Sequence, residues 1–103
     1  MREFNEKRIY ITMEISVGNK EKIERISGLK NISFNEFVNE AIKNNFKDNL
    51  NKINIYKREE VEPVKLRIYE SIYTPMSDFT KKYNISITKI ITHCIYEEIK
   101  KYN

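Results

Sequence analysis

Two stretches of this 103-residue chain carry the same apolar pattern 53 positions apart, and that repeat constrains the fold more than any single motif does. Ile11, Met13 and Ile15 fall on Val64, Leu66 and Ile68, and Ile23 and Ile26 fall on Met76 and Phe79. The triplet Asn31-Ile32-Ser33 falls on Asn84-Ile85-Ser86. Phe34, Phe37, Val38, Ala41 and Ile42 then fall on Ile87, Ile90, Ile91, Cys94 and Ile95. Each copy lies near the size of roughly 40 residues below which a unit needs a disulfide, a metal or association to fold. The single Cys94 excludes an internal disulfide, and with His93 as the single histidine an ordinary structural zinc set cannot be completed. One core shared by both copies is what remains.

The pattern within a copy sets the elements. From Arg8 to Ser16 apolar and polar residues alternate, the mark of a half-buried strand. Gly18-Asn19 ends it, and Asn19 is expected to cap a short helix over 20–29 that turns Ile23, Ile26 and Leu29 inward. Ser33, with Glu36 three residues on, reads as a capping box. The helix behind it carries Phe34, Phe37, Val38, Ala41, Ile42 and Phe46 at helical spacing, with Leu50 and Ile53 as candidates to extend the stripe. Residues 52–62 read as a linker whose charged run Lys57 to Glu60 is solvated. Pro63 opens the second strand, over 64–70, where proline is tolerated as a first residue. Thr74-Pro75 reads as the next helix start, with Asp78 in its first turn. Ser86 caps a last helix carrying Ile87, Ile90, Ile91, Cys94, Ile95 and Ile99, and no tail for a further domain is expected after Asn103.

The expected organisation is an N-terminal arm (1–7), a first copy (8–51), a linker (52–62) and a second copy (63–103), together one pseudo-dimeric domain. Its fold class is mainly α with a two-stranded antiparallel β-ribbon, in the order β-α-α-β-α-α, around one core. A composition 40% hydrophobic and 33% charged, with two glycines and two prolines, suits such a helix-rich domain. No apolar run is long enough to span a membrane and the first residues lack the apolar centre of a signal peptide, so a cytoplasmic location is expected. The net charge of +4 is too mild to define a partner by itself; where the charge sits matters more.

A two-stranded ribbon needs its apolar face covered by helices, which leaves the other face projecting. Such a ribbon fits the major groove of B-DNA, where all four base pairs can be told apart. The residues on that face are Tyr10, Thr12 and Glu14 on the first strand and Lys65, Arg67 and Tyr69 on the second, with Arg8 at the edge as a phosphate contact. Lys65 and Arg67 suit guanine O6 and N7, and Arg67 can engage both at once. Thr12 can hydrogen-bond a base or touch a thymine methyl. Glu14 can accept from cytosine N4, or pair with Arg67 when no DNA is bound. Ser33 with Asn35, and Ser86 with Thr88 and Lys89, begin helices whose free N–H groups and positive dipole ends favour phosphate. The plain alternative is that any half-exposed strand carries polar residues outside and that these serines cap their helices; capping and phosphate contact are compatible.

Enzyme chemistry is not expected. There is no glycine-rich loop, and His93 and Cys94 are adjacent on a helix and diverge. Cys94 aligns with Ala41 as a small core residue, and His93 with Glu40 as a surface one. Glu59-Glu60 and Glu97-Glu98 lack the facing geometry of an acid–base couple. No catalytic residue, metal, cofactor, membrane contact or small-molecule ligand is anticipated.

The layout resembles the ribbon-helix-helix family of DNA-binding proteins, the Arc, MetJ and CopG type. The first copy carries the resemblance in Ile-Thr-Met-Glu-Ile-Ser from Ile11 and in the run from Ile32 to Ile42. The second carries it more loosely in Val-Lys-Leu-Arg-Ile-Tyr from Val64 and in Ile85 to Ile91. The resemblance implies a ribbon in the major groove of double-stranded DNA, read by Tyr10, Thr12, Glu14, Lys65, Arg67 and Tyr69, with Ser33, Asn35, Ser86 and Thr88 on phosphates. The implied function is a DNA-associated transcriptional repressor of the viral or plasmid kind, in which a minority of members fuse two copies. Plasmid partition, conjugative relaxosome assembly, or an antitoxin-like protein-interaction role with Phe4, Ile53, Ile55 and Tyr56 as docking points are the alternatives. Glu14, and Pro63 aligned with Tyr10, depart from the family pattern. Because the strands differ, the ribbon need not be two-fold symmetric, and chains could associate on adjacent direct repeats.

Overall fold

The computed structural model describes residues 7–46 and 60–102. The alternating segment forms strand β1 (Arg8–Ser16), which pairs antiparallel with β2 (Val61–Tyr69) in a two-stranded ribbon. The register sets Thr12 against Lys65 at the centre, with Arg8 against Tyr69 and Ser16 against Val61 at the ends. Val17 N–H donates to the Glu60 carbonyl and Glu70 N–H to the Lys7 carbonyl, each at 2.9 Å, closing the ladder at both ends. Ile9, Ile11, Met13 and Ile15 face the helices opposite Ile68, Leu66, Val64 and Glu62.

Four helices follow in the order β1-α1-α2-β2-α3-α4: α1 (Val17–Lys30), α2 (Phe34–Asn45), α3 (Glu70–Tyr83) and α4 (Ile87–Lys100). Each strand and helix of the second half begins 53 residues after its counterpart. The molecule is therefore mostly helical with one antiparallel ribbon. Asn31 and Asn84 end α1 and α3 in the left-handed region at φ 59° and 56°, a conformation that asparagine tolerates better than other side chains. Ser33 and Ser86 then cap α2 and α4, accepting from Glu36 N–H at 3.1 Å and Lys89 N–H at 3.2 Å.

All four helices and both strands contribute to one core. Phe37, Val38 and Ala41 of α2 meet Ile90, Ile91 and Cys94 of α4 at its centre, under Leu66 and Ile68 of the ribbon. Burial pushes the Cys94 thiol up to about 12, with Glu97 and Glu98 adding to the shift, so it behaves as an apolar filler. Where α2 crosses α4, Asn45 donates to Glu98 at 3.0 Å and Asn44 to the same carboxylate at 3.4 Å. Lys101 lies 3.0 Å from Glu98 as well. Glu98 is only 4% exposed. Burial works to raise its pKa, but the hydrogen bonds of Lys101, Asn45 and Asn44 and the Lys101 charge hold it below the ordinary carboxylate value.

Several boundaries and orientations differ from the expectations. Helix α1 starts at Val17 because Ser16, not Asn19, caps it: Ser16 Oγ accepts from Asn19 N–H at 3.1 Å, and Asn19 is buried inside the helix. Leu29 is 82% exposed, since at about 100° per residue it lies about 120° around α1 from Ile23. Strand β2 begins at Val61, so Val61 and Glu62 belong to the ribbon rather than a linker. Pro63 is its third residue, opposite Glu14. The end bond from Val17 to Glu60 sets the alternation so that Pro63 falls in a non-hydrogen-bonded pair, and its missing N–H removes no ladder bond. Helix α3 starts at Glu70, enclosing Thr74 and Pro75. An interior proline costs a helix about 3 kcal/mol, and burial of Met76 and Phe79 on the same helix opposes that loss. His93 is 7% exposed rather than at the surface, and its Nδ1 has no hydrogen-bond partner. The readings at Phe4, Leu50, Ile53, Ile55, Tyr56 and Lys57–Glu59 lie outside the described residues.

Candidate nucleic-acid interface

The face of the ribbon turned from the helices is built by period-2 alternation alone. Tyr10, Thr12 and Glu14 of β1 and Lys65 and Arg67 of β2 are all exposed, Tyr10 at 71%. Tyr69 is half-buried because the Arg8 guanidinium lies 5.3 Å from its ring centroid, across the strand pair. Down the face, Tyr10 stands against Arg67, Thr12 against Lys65 and Glu14 against Pro63. Glu14 and Arg67 therefore sit on opposite sides of the central pair. The register rules out the Glu14–Arg67 pairing anticipated from the sequence, since neither is the other's cross-strand or diagonal neighbour.

Helix α2 approaches the free edge of β2 at Arg67. Asn35 Oδ1 accepts from Arg67 N–H at 2.9 Å, and Asn39 Oδ1 accepts from Tyr69 N–H at 3.0 Å. Asn39 Nδ2 donates back to the Arg67 carbonyl at 2.9 Å and to the Asn35 carbonyl at 2.8 Å. Two asparagines one turn apart thus imitate a third strand and fix the backbone from which Arg67 and Tyr69 project. Asn35 was expected to contact phosphate; its carbonyl oxygen is committed to the strand edge, leaving only its amide NH₂ for an outside partner. Asn39 was missed. The available signal was an asparagine spaced i,i+4 from Asn35, beside the apolar stripe of Val38 and Ile42.

The same approach brings Arg8, Ser33, Asn35, Arg67 and Tyr69 around one cleft of about 120 Å³ between the ribbon and the start of α2, with Glu36 and Asn39 completing its wall. Arg8, Arg67, a capping serine and the start of a helix line it, an arrangement that favours an anionic oxygen, with the acidic Glu36 on the same wall opposing it. Ser86, Thr88 and Lys89 are exposed at the start of α4 and are not part of this cleft. Among the described residues no cluster of three or more His, Cys, Asp or Glu side chains is placed to hold a metal. Nor is any described helix long and apolar enough to cross a membrane. The chain matches no protein-family model, no curated protein and no solved structure.

Proposed function

We propose that this is a tandem ribbon-helix-helix protein, two β-α-α units fused in one chain, which binds double-stranded DNA sequence-specifically and represses transcription by occupying a promoter. The observation that carries the reading is the ribbon register: it gathers Tyr10, Thr12, Lys65 and Arg67 on one exposed two-stranded face of a size that enters the major groove. The cleft formed by Arg8, Ser33 and Arg67 beside that face supports it, because phosphate contacts fix the position from which base edges are read. Lys65 and Arg67 supply donors for guanine, Thr12 a small contact for thymine, and Glu14 an acceptor for cytosine N4. Ser86, Thr88 and Lys89 contact the backbone from α4.

The test is selection of bound duplexes from a random double-stranded pool at about 150 mM salt, where binding by charge alone is weak. A short enriched motif is expected, and no enrichment would overturn the reading. On the enriched site, Arg67→Ala should cost about 1–3 kcal/mol and relax the preference at one base pair. Lys89→Ala should instead weaken all sequences alike. Equal behaviour of the two variants would remove the base-reading role from Arg67.

A further inference from the structure

The ribbon face is unlike at its two ends. Thr12 and Lys65 pair at its centre, and on either side Glu14 and Arg67 each stand two residues beyond that pair on their own strands. They are equivalent positions by register as well as by the 53-residue offset. The same correspondence matches Tyr10 with Pro63, Arg8 with Val61, and Tyr69 with Ser16. One end of the face therefore carries Arg8, Tyr10, Arg67 and Tyr69, and the other carries Glu14, Ser16, Val61 and Pro63. No cationic side chain of the ribbon lies at the second end.

The chemistry of the bases turns this into a constraint on the target. A perfect palindrome that offers guanine to Arg67 also offers guanine to the equivalent position, Glu14. Guanine presents two acceptors in the major groove, O6 and N7, and a carboxylate has acceptors only. The contact is favourable at one end and repulsive at the other, so the same side chain that would read cytosine excludes the symmetric site. The helix starts run the opposite way, with Glu36 on α2 and Lys89 on α4 at corresponding positions. In the DNA-binding reading the helix starts face the phosphate backbone, which is the same in every sequence, and so do not restore symmetry to base reading. The edge contacts run with the ribbon: Asn35 and Asn39 pin β2 at Arg67 and Tyr69. The matching α4 positions are Thr88 and Thr92, and among the described residues these make no such bond to β1.

We propose that the chain binds DNA in a single orientation, on a non-palindromic site with guanine under Arg67 and cytosine under Glu14, and that Glu14 is the residue that rejects the palindrome. This rests on the DNA-binding reading above and specifies the partner of that face. The test compares the wild-type chain with Glu14→Arg and Arg67→Glu, both exposed positions, after thermal melting has shown all three folded. Each is passed through the same random-duplex selection. Binding is then measured on the enriched site and on a palindrome built by mirroring its Arg67-side half. The wild type should enrich a non-palindromic motif and bind the palindrome at least about tenfold more weakly, the usual penalty for one wrong base pair under a reading side chain. Glu14→Arg should reverse that preference and enrich a palindrome, while Arg67→Glu should lose the guanine preference. A palindromic motif from the wild type, or an unchanged preference in Glu14→Arg, would overturn the single-orientation proposal while leaving DNA binding standing. Absence of any motif for the wild type would overturn both.

Discussion

Helices α2 and α4 begin 53 residues apart and meet at the centre of the core, yet they treat their polar groups in opposite ways. On α2, Asn39 is buried with both its amide atoms used, and Glu40 reaches Lys30 at 3.3 Å, which also donates to Tyr102 at 2.9 Å. On α4 the corresponding residues are Thr92 and His93, and His93 is buried with Nδ1 unpaired. The shortest polar contact between the two helices is also unequal. Asn45 and Glu98 occupy matching positions and bond to each other, an amide facing a carboxylate where a symmetric pair would set like against like. Most buried apolar positions match between the halves, and so do the capping residues Asn31 with Asn84 and Ser33 with Ser86. The buried polar side chains Asn39 and His93 have no like counterpart. Packing asks only for volume and apolarity, whereas a buried polar atom needs one particular partner.

That contrast can be broken by substitution. The largest effect is expected at the ribbon edge: Asn39→Ala strands the Tyr69 N–H and the Arg67 carbonyl, at a cost of about 2–3 kcal/mol in denaturant unfolding. Thr92→Ala at the matching position should cost well under about 1 kcal/mol. Equal losses would mean that the two edges are held alike.

Glu98 comes next. Its pKa is lowered on folding, so it contributes stability above the ordinary carboxylate range, and that contribution is lost as pH falls through the lowered value. Glu98→Gln should cost about 1.5 kcal/mol near neutral pH and flatten the acid limb of a stability-versus-pH curve. An unaltered acid limb would take Glu98 out of the acid response. The smallest change should be a gain. His93→Leu removes an unpaired buried nitrogen and should raise stability by about 1 kcal/mol. A loss on thermal or denaturant melting would show that the imidazole is held by interactions its geometry does not reveal.

Much of the fold was legible in the chain. The alternation from Arg8 to Ser16 marked β1 at its observed ends, and Ser33 and Ser86 announced α2 and α4, because strand period and capping chemistry are local. The misreadings occurred where local signals competed with tertiary ones. Thr74-Pro75 looks like a helix start, but Pro75 lies inside α3, which enters directly from β2 as α1 enters from β1. Val61 and Glu62 look like linker because their strand character depends on β1 being present to pair with. Of the outward residues of the candidate interface, Tyr10, Thr12, Glu14, Lys65 and Arg67 were named correctly as exposed from alternation alone, whereas Tyr69 is half-buried beside Arg8. Which of them stand together was not available there: the cleft of Arg8, Ser33 and Arg67 joins residues from three elements.

By itself the sequence determined which residues are apolar at which period, and hence that two strands and four helices form and most of the face each buries. It did not determine where β2, α1 and α3 begin or that Leu29 is exposed. Only the tertiary structure decided the cross-strand register, and with it that Glu14 and Arg67 lie apart at matching places rather than paired. It also decided that Asn39 would serve a strand edge and that His93 would be buried. The physical reason is one of range. Hydrophobic periodicity and capping act over a turn or two of chain, while a polar group's fate depends on a partner brought from tens of residues away.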